Sequence, residues 1–380
     1  MKIVSISLDP KVLDSNSVVS SRNRLYGQIV DEYSVIVHDA KDSVLELNED
    51  VTVYGVGGMF KITRLIRVCL LLRRLVKEDK CDVISSSDPY FFGFVAFCVA
   101  KMNHVGFEAH ILGIEKLNFF RKTLGRFFIK HAGAIRVNST RLRDRVSKEF
   151  NVPVERITFV PIYVPTDELG FQKAHAGSTN REKQDLSDKN FLDEYGAYFN
   201  FLFVGRLVGV KNIPMQLKAM RKIKGLYPDV RLHIVGDGPD REVLQQQVSR
   251  LGVASQVVFH GRKEGIALGT YYRLCDSLIL TSFAEGWPMV IFESMIAGLP
   301  IIMTDVGCAG EMIKDDVNGL IIPSDDYEVL AQAMERFMSE EGLMKRLVGH
   351  ATRDIQNYWT RDQILAGYKQ SWRKALDNKF

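Results

Sequence analysis

An α/β protein made of two parallel-sheet domains is what this sequence predicts, on three observations. Short apolar runs suited to buried strands alternate with helical stretches, a rhythm that builds βαβ units and sheets covered on both faces. One polar stretch, between Pro165 and Tyr198, interrupts that rhythm. At 380 residues the chain is long for a single core and ordinary for two.

The first domain opens with a strand over Lys2 to Ser7, a polar loop from Asp9 to Ser17 and a helix through Val18 to Val30. Strands are then expected at Tyr33 to His38, Val51 to Val56, Asp82 to Ser86, Val105 to His110, Ala134 to Asn138 and Ile157 to Val160. Ligands bind parallel sheets at the carboxyl ends of their strands, so the loops after Ser7, Ser86 and His110 are expected to face one cleft. His110 ends its strand in GFEAHILG, where its ring either points into that cleft or packs at a strand end; spacing leaves both open.

Lys61 to Lys80 places Ile62, Leu65, Ile66, Cys69, Leu72 and Leu75 at helical spacing, with Arg64, Arg67, Arg74 and Lys77 largely elsewhere. Such a basic amphipathic helix is either a core-facing stripe with a solvated outer face or a surface that rests on anionic lipid. Lys61 to Lys148 holds 18 Lys and Arg against 7 Asp and Glu, a local +11 that leaves −7 for the rest of a chain of net charge +4. No nucleic-acid-binding motif accompanies the charge, so no nucleic acid partner is expected.

In the second domain the strand Phe201 to Val204 leads into Gly205-Arg206-Leu207 and then Lys211-Asn212 before a helix. A glycine lets the backbone turn tightly, and two cations this close at a strand's carboxyl end can clamp a diphosphate. A second strand ends in Val235-Gly236-Asp237-Gly238-Pro239, another tight turn into a helix. Neither loop is G-x-G-x-x-G, nor does Gly55-Val56-Gly57-Gly58 complete one, so no nicotinamide cofactor is indicated. Further strands follow at Val257 to His260, Ser277 to Thr281, Ile301 to Thr304 and Leu320 to Ile322, with a small-residue turn over Asp305 to Glu311.

The stretch Ser282 to Pro300, SFAEGWPMVIFESMIAGLP, carries two carboxylates around a strand-to-helix turn. Pro288 suits the first turn of a helix running to Gly298, which puts Glu285 in the loop and Glu293 on the helix. Glu293 sits among Val290, Ile291, Phe292, Met295 and Ile296, where a carboxylate is costly unless something binds it. A helix start offers unpaired N–H groups to a phosphate, and carboxylates accept from sugar hydroxyls, so the stretch describes a pocket for a sugar nucleotide. Helices over Glu328 to Phe337 and Trp359 to Leu376 close the chain.

Cys69, Cys81, Cys98, Cys275 and Cys308 form no C-x-x-C pair, which argues against a disulfide framework or zinc site and fits a reducing, cytoplasmic setting. The N-terminal run is too short for a signal peptide, and Tyr90 to Ala100 is too short to span a bilayer.

Taken in order, G-R-L with K-N, V-G-D-G-P, E-G-W-P-x-x-x-x-E, G-L-P-I-I-x-T-D-V-G and N-G-L resemble the second domain of the retaining, sugar-nucleotide-dependent glycosyltransferases of family 4 (glycosyl transferases group 1). The resemblance is strong from Phe201 to about Asp326 and rests on βα rhythm alone in the first domain. It implies the GT-B fold, two Rossmann-like parallel-sheet domains facing a cleft: an acceptor-side domain over 1–165, a linker over 166–199 and a donor-nucleotide domain over 200–359, with a helix at about 360–380 packing back on the first.

By the same resemblance, Arg206 and Lys211 would hold the donor diphosphate, Glu293 the ribose and Glu285 the transferred sugar. Gly286, Trp287, Pro288, Met289 and Val290 would offer backbone N–H groups, Gly205 and Gly236 would shape the donor loops, and Arg262 would lie towards the nucleotide. His110 matches in place a histidine directed at the donor sugar. The first domain departs in two places, since its first loop reads LDPKVLDSNSVVS without a Gly-Gly pair and Pro161-Ile162-Tyr163-Val164-Pro165 stands where P-N-G-V-D is customary.

The implied reaction is transfer with retention of anomeric configuration to a saccharide or lipid-linked acceptor, without metal, in cell-surface polysaccharide or glycolipid synthesis at the inner face of the membrane. The competing readings are a GT-B sugar-nucleotide epimerase and a non-catalytic sugar-nucleotide-binding subunit.

Overall fold

The computed structural model describes residues 1–88, 90–113, 119–163 and 181–380. The chain forms two compact units, one of Met1–Tyr163 with Trp359–Phe380 and one of Val164–Tyr358.

The first unit contains β1 (Lys2–Ser7), α1 (Val18–Gly27), β2 (Glu32–His38), β3 (Ser43–Asn48), β4 (Val51–Val56), α2 (Lys61–Glu78), β5 (Val83–Ser86), α3 (Phe91–Asn103), β6 (Gly106–Ile111), α4 (Phe119–His131), β7 (Ala134–Val137), α5 (Thr140–Phe150) and β8 (Ile157–Phe159). Its sheet runs β3-β4-β2-β1-β5-β6-β7-β8, parallel except for β3, which pairs antiparallel with β4. The sequence reading omits β3, because this edge strand alternates half-buried and exposed residues and leaves Val44 in solvent.

Helix α2 corrects the single stripe expected for it. Val68, Leu72, Leu75 and Val76 are buried, whereas Ile62, Ile66 and Leu70 are exposed, so the helix carries apolar residues on two faces.

The second unit contains α6 (Arg181–Tyr195), β9 (Phe199–Val204), α7 (Ile213–Ile223), β10 (Val230–Val235), α8 (Arg241–Leu251), β11 (Val257–Gly261), α9 (Gly265–Leu274), β12 (Ser277–Leu280), α10 (Met289–Ala297), β13 (Ile301–Thr304), β14 (Leu320–Ile322), α11 (Tyr327–Ser339) and α12 (Leu343–Gln356). Its all-parallel sheet runs β11-β10-β9-β12-β13-β14. Much of the stretch expected as linker, 166–199, is helix α6, which packs on α9; its residues 166–180 lie outside the described residues. Its polar composition hides the anchors: Asp188 accepts from Arg273 at 2.6 Å and from Thr270 at 3.0 Å, and Phe191 is buried beside His233 and Tyr271.

The last helix, α13 (Arg361–Asp377), lies in the first unit and packs across β5, β6, β7 and β8. A buried ion pair fastens it. Glu108 is 0% and Arg136 3% exposed, and the guanidinium donates through Nε to Oε1 at 2.9 Å and through Nη2 to Oε2 at 3.1 Å. Ser85 donates to the same carboxylate from β5, and Ser371 and Trp372 donate from α13. Burial by itself would raise the Glu108 pKa; the adjacent Arg136 charge and hydrogen bonds outweigh it and hold the carboxyl at about 2.

In the second unit the buried His233 and the half-buried His260 form a directional chain. Asn200 donates its amide hydrogens to the Tyr195 and Tyr198 carbonyls, so its Oδ1 accepts from His233 Nε2–H at 2.9 Å. His233 Nδ1 then accepts from His260 Nε2–H at 2.8 Å. Burial, reinforced by the neighbouring ring for His233 and by Lys263 for His260, lowers their pKa values from 6.5 to about 3 and about 4.

The unfolded chain takes up protons at both rings near pH 6.5, whereas the folded chain resists them down to about 4. This stability is therefore fully present above that range and lost as pH falls through it. Denaturant midpoints of the second unit should decline between about pH 6.5 and pH 4, and His260→Gln, which keeps a polar partner without a titrating ring, should flatten the slope. A wild-type midpoint constant over that interval would show that the pair titrates normally.

Candidate functional site

The strand order of the second unit reverses direction between β9 and β12, and the crevice at the carboxyl ends of two such strands is where open α/β sheets bind ligands. The loop after β9 carries Arg206 and Lys211, and the loop after β12 carries Glu285. The sheet topology thus brings together residues far apart in sequence.

Leu207 is fully buried and pins the first of these loops, while Arg206 beside it is exposed. Gly205 donates its N–H to Val235 O at 3.0 Å, holding the loop against the end of β10. At Gly236 φ is +146°, and a Cβ there would lie 1.8 Å from Gly205 O, so glycine is what allows the loops after β9 and β10 to meet backbone to backbone.

The loop after β12 is tied to the loop after β9. Phe283 N–H donates to Val210 O at 2.8 Å, and Thr281 Oγ1 lies 3.1 Å from both Lys211 O and Asn212 O while accepting from Gln216 at 2.8 Å. On this frame Lys211 Nζ lies 2.6 Å from Glu285 Oε1, with both side chains largely buried. Ser282 donates to the same oxygen at 2.6 Å. Gly307, with φ +60°, closes the turn from the other side: a Cβ there would lie 2.9 Å from Pro288 Cδ and 3.0 Å from Glu285 Cβ.

Helix α10 begins at Met289, with Pro288 as N-cap and no side chain capping it, so its first turn keeps N–H groups open. Gly286, Met289 and Val290 are half-buried around that start. The Trp287 indole is buried 5.5 Å from the Phe292 ring, which leaves its backbone, the part expected to meet a ligand, at the turn. Glu293 is half-buried and accepts from Tyr272 at 2.5 Å. Burial raises its pKa, with the Tyr272 hydrogen bond opposing. The apolar surroundings that make this carboxylate costly therefore contain one buried hydroxyl, and Glu293 Oε1 has no protein partner among the described residues.

Two expected residues are carried by other strands. Arg262 follows edge strand β11 and is exposed, ion-paired with Glu264 of its own loop. His110 is the last residue but one of β6 in the first unit, beside Ser87 and Arg136. Sequence reasoning missed Ser282, Tyr272 and Gly307 as individual residues. Ser282 was available three positions before Glu285, but no sequence signal links Tyr272 to Glu293.

The arrangement in the second unit is an exposed guanidinium, a lysine and carboxylate in contact, an open helix start and a second carboxylate. It can hold a diphosphate and accept from sugar hydroxyls within one crevice.

Two family models match the chain, glycosyl transferases group 1 over residues 185–354 and glycosyltransferase family 4 over residues 31–168. An uncharacterized glycosyltransferase of Methanocaldococcus jannaschii is 33% identical over 240 residues, 63% of this chain and 59% of that protein, so the chain spans under two thirds of that relative's length. A Campylobacter jejuni protein, named as an α-1,4-N-acetyl-D-galactosaminyltransferase acting on a PP-undecaprenol-linked saccharide, is 27% identical over 91% of this chain and 90% of its own. Among solved structures, Anabaena HepE in complex with UDP and glucose covers 97% of this chain and 98% of its own at a TM-score of 0.76 and 16% identity, a likeness of fold. The two parallel-sheet units are the GT-B fold.

Gly236→Ala should destabilise the second unit by about 1–3 kcal/mol, since the backbone there is strained for any residue with a Cβ. A urea midpoint within error of wild type would show that the two loops do not approach as closely as described.

Proposed function

The chain belongs to the group 1 glycosyltransferases, and from that premise we propose that it moves a sugar from a nucleoside diphosphate sugar to an acceptor hydroxyl with retention of anomeric configuration. The observation that carries this reading is the Lys211–Glu285 contact at the switch point, with Arg206 exposed in the same loop as Lys211. In the reaction the nucleoside diphosphate leaves and the acceptor hydroxyl enters from the same face. Negative charge grows on the departing diphosphate, and Arg206 and Lys211 are placed to neutralise it, which is usually the largest protein contribution to such a step. Glu285, held by Ser282, stays fixed for the transferred sugar when Lys211 turns towards phosphate. Glu293 accepts from the ribose through the oxygen that Tyr272 leaves open, and His110 serves the donor sugar. The cation pair does without metal what a divalent ion does in other transferases.

A nucleoside diphosphate sugar as donor is supported by the family, and a saccharide or lipid-linked acceptor by the Campylobacter relative. Polysaccharide or glycolipid synthesis follows from that acceptor class.

Release of free nucleoside diphosphate from a panel of sugar nucleotides, with and without saccharide acceptors, tests the reading. Arg206→Ala and Lys211→Ala should each weaken diphosphate binding by about 1.5–3 kcal/mol, roughly 10- to 150-fold. Glu293→Gln should affect binding and Glu285→Gln turnover, and a chelator should leave wild-type activity nearly intact. Unchanged diphosphate affinity in both cation variants, or loss of activity in chelator restored by magnesium or manganese, would defeat the assignment.

We further propose that α2 rests on an anionic membrane surface at the cytoplasmic side. No described helix is long and apolar enough to cross a membrane. The support is the local +11 together with the exposed Phe60, Ile62, Ile66 and Leu70. Each Lys or Arg near anionic lipid adds on the order of 1 kcal/mol. Arg67 is held by Asp42 and Gly57 O, so the apolar face is the cleaner target. Sedimentation with anionic but not neutral vesicles, lost at high salt and in Ile62→Asp with Ile66→Asp, is the expected result; equal pelleting with both lipids, or with neither, would end the proposal.

A further inference from the structure

The structure assigns Arg136 as the positioning residue that sets the charge and tautomer of His110, an inference that rests on His110 serving the transfer site. Both ring nitrogens are engaged: Nδ1 lies 3.2 Å from Ser87 Oγ, and Nε2 lies 3.4 Å from Arg136 Nη1. A guanidinium can only donate, so the Nε2 lone pair faces Arg136 and the ring proton sits on Nδ1, where Ser87 Oγ accepts it.

Arg136 cannot easily turn away. Its Nε and Nη2 are bound to Glu108, and its guanidinium carbon lies 3.8 Å from the centre of the Tyr368 ring. Tyr368 is itself fixed by stacking on Tyr26, with a 2.8 Å hydrogen bond between their hydroxyls. His110 and Arg136 are direct partners in the β6–β7 ladder, so backbone register sets the guanidinium beside the ring.

Among the described residues, the groups facing His110 are Glu108 on its own strand, Arg136 on β7, Ser87 after β5 and the Tyr368 ring from α13, 6.5 Å away and edge-on. Glu108 is the one anion, and its oxygens already accept from Arg136, Ser85, Ser371 and Trp372. A proton added to His110 would therefore meet a guanidinium and a carboxylate already in use. Burial first, and Arg136 next, push the ring pKa well below 6.5.

His110 thus takes part in the reaction as a neutral ring, a hydrogen-bonding group with no proton to give as imidazolium at neutral pH. Arg136 acts through it. The buried ion pair therefore has a second use besides anchoring α13.

Histidine-selective nitrogen NMR of the full chain tests this, with His110 distinguished from the other seven histidines by His110→Gln. The expected wild-type ring is protonated on Nδ1 and stays neutral through the ordinary histidine titration range. Glu108→Gln combined with Arg136→Met removes both charges without orphaning either. It should raise the His110 midpoint, because the guanidinium removed opposes the imidazolium more than the carboxylate removed favours it, and give kcat/KM an acid limb that wild type lacks. Arg136→Lys, which keeps the charge, should keep the ring neutral.

A proton on Nε2, a wild-type midpoint near the ordinary value of about 6.5, or a double variant whose midpoint matches wild type overturns the assignment. If the double variant does not fold, the wild-type tautomer and titration decide alone. The NMR measurement needs no substrate, so a chain that consumes no sugar nucleotide would overturn the transfer reading and leave this one to its own result.

Discussion

The contact between Lys211 Nζ and Glu285 Oε1, 2.6 Å long and largely withdrawn from water, is the interaction around which the second unit's site is arranged. Its two residues are 74 positions apart and meet only because β9 and β12 are neighbours at the point where the strand order reverses. Partial burial makes the pair strong enough to define the loops, yet each partner keeps some exposure and so stays open to exchange for a ligand. Thr281 against the Lys211 and Asn212 carbonyls, and the Phe283 N–H on Val210 O, hold the backbone independently of the ion pair. Lys211 can therefore change partner without the loops coming apart.

The first unit uses the same chemistry to a different end. Glu108 and Arg136 are almost wholly buried, and the carboxylate accepts from two strands and the last helix. A pair this dry is costly to form and is tolerated because its hydrogen-bonding capacity is nearly filled. Removing one partner would cost about 3–5 kcal/mol. The two pairs differ mainly in access to water, and that difference separates a pair that can receive a substrate from one that anchors a helix and sets the state of a neighbouring histidine.

Glycines divide in a similar way. Gly236 and Gly307 are needed where loops from different strands are pressed together, at Gly205 O and at the Glu285–Pro288 turn respectively. Each carries a positive φ that a side chain resists, so the crevice is shaped by backbone approach before any charged group enters it.

The parallel-sheet class, nearly every strand, and the loops and helix that carry Arg206, Lys211, Glu285 and Glu293 were legible in the sequence, because buried strands and glycine-bearing turns write themselves as local patterns. Edge strand β3 and helix α6 were not, since β3 buries too little to show a run and α6 is held by Asp188 and Phe191 within a polar stretch. The exposed apolar face of α2 escaped for a related reason: spacing places residues on a helix, and only the packed sheet says which face it covers. Tertiary structure alone decided that Lys211 touches Glu285, that Tyr272 caps Glu293, that Trp287 turns inward and that His110 lies under Arg136. The physical reason is common to all four. Residue type and spacing determine what chemistry a loop can offer, whereas which offers meet depends on strand order and register, and those are set by the burial of the whole sheet.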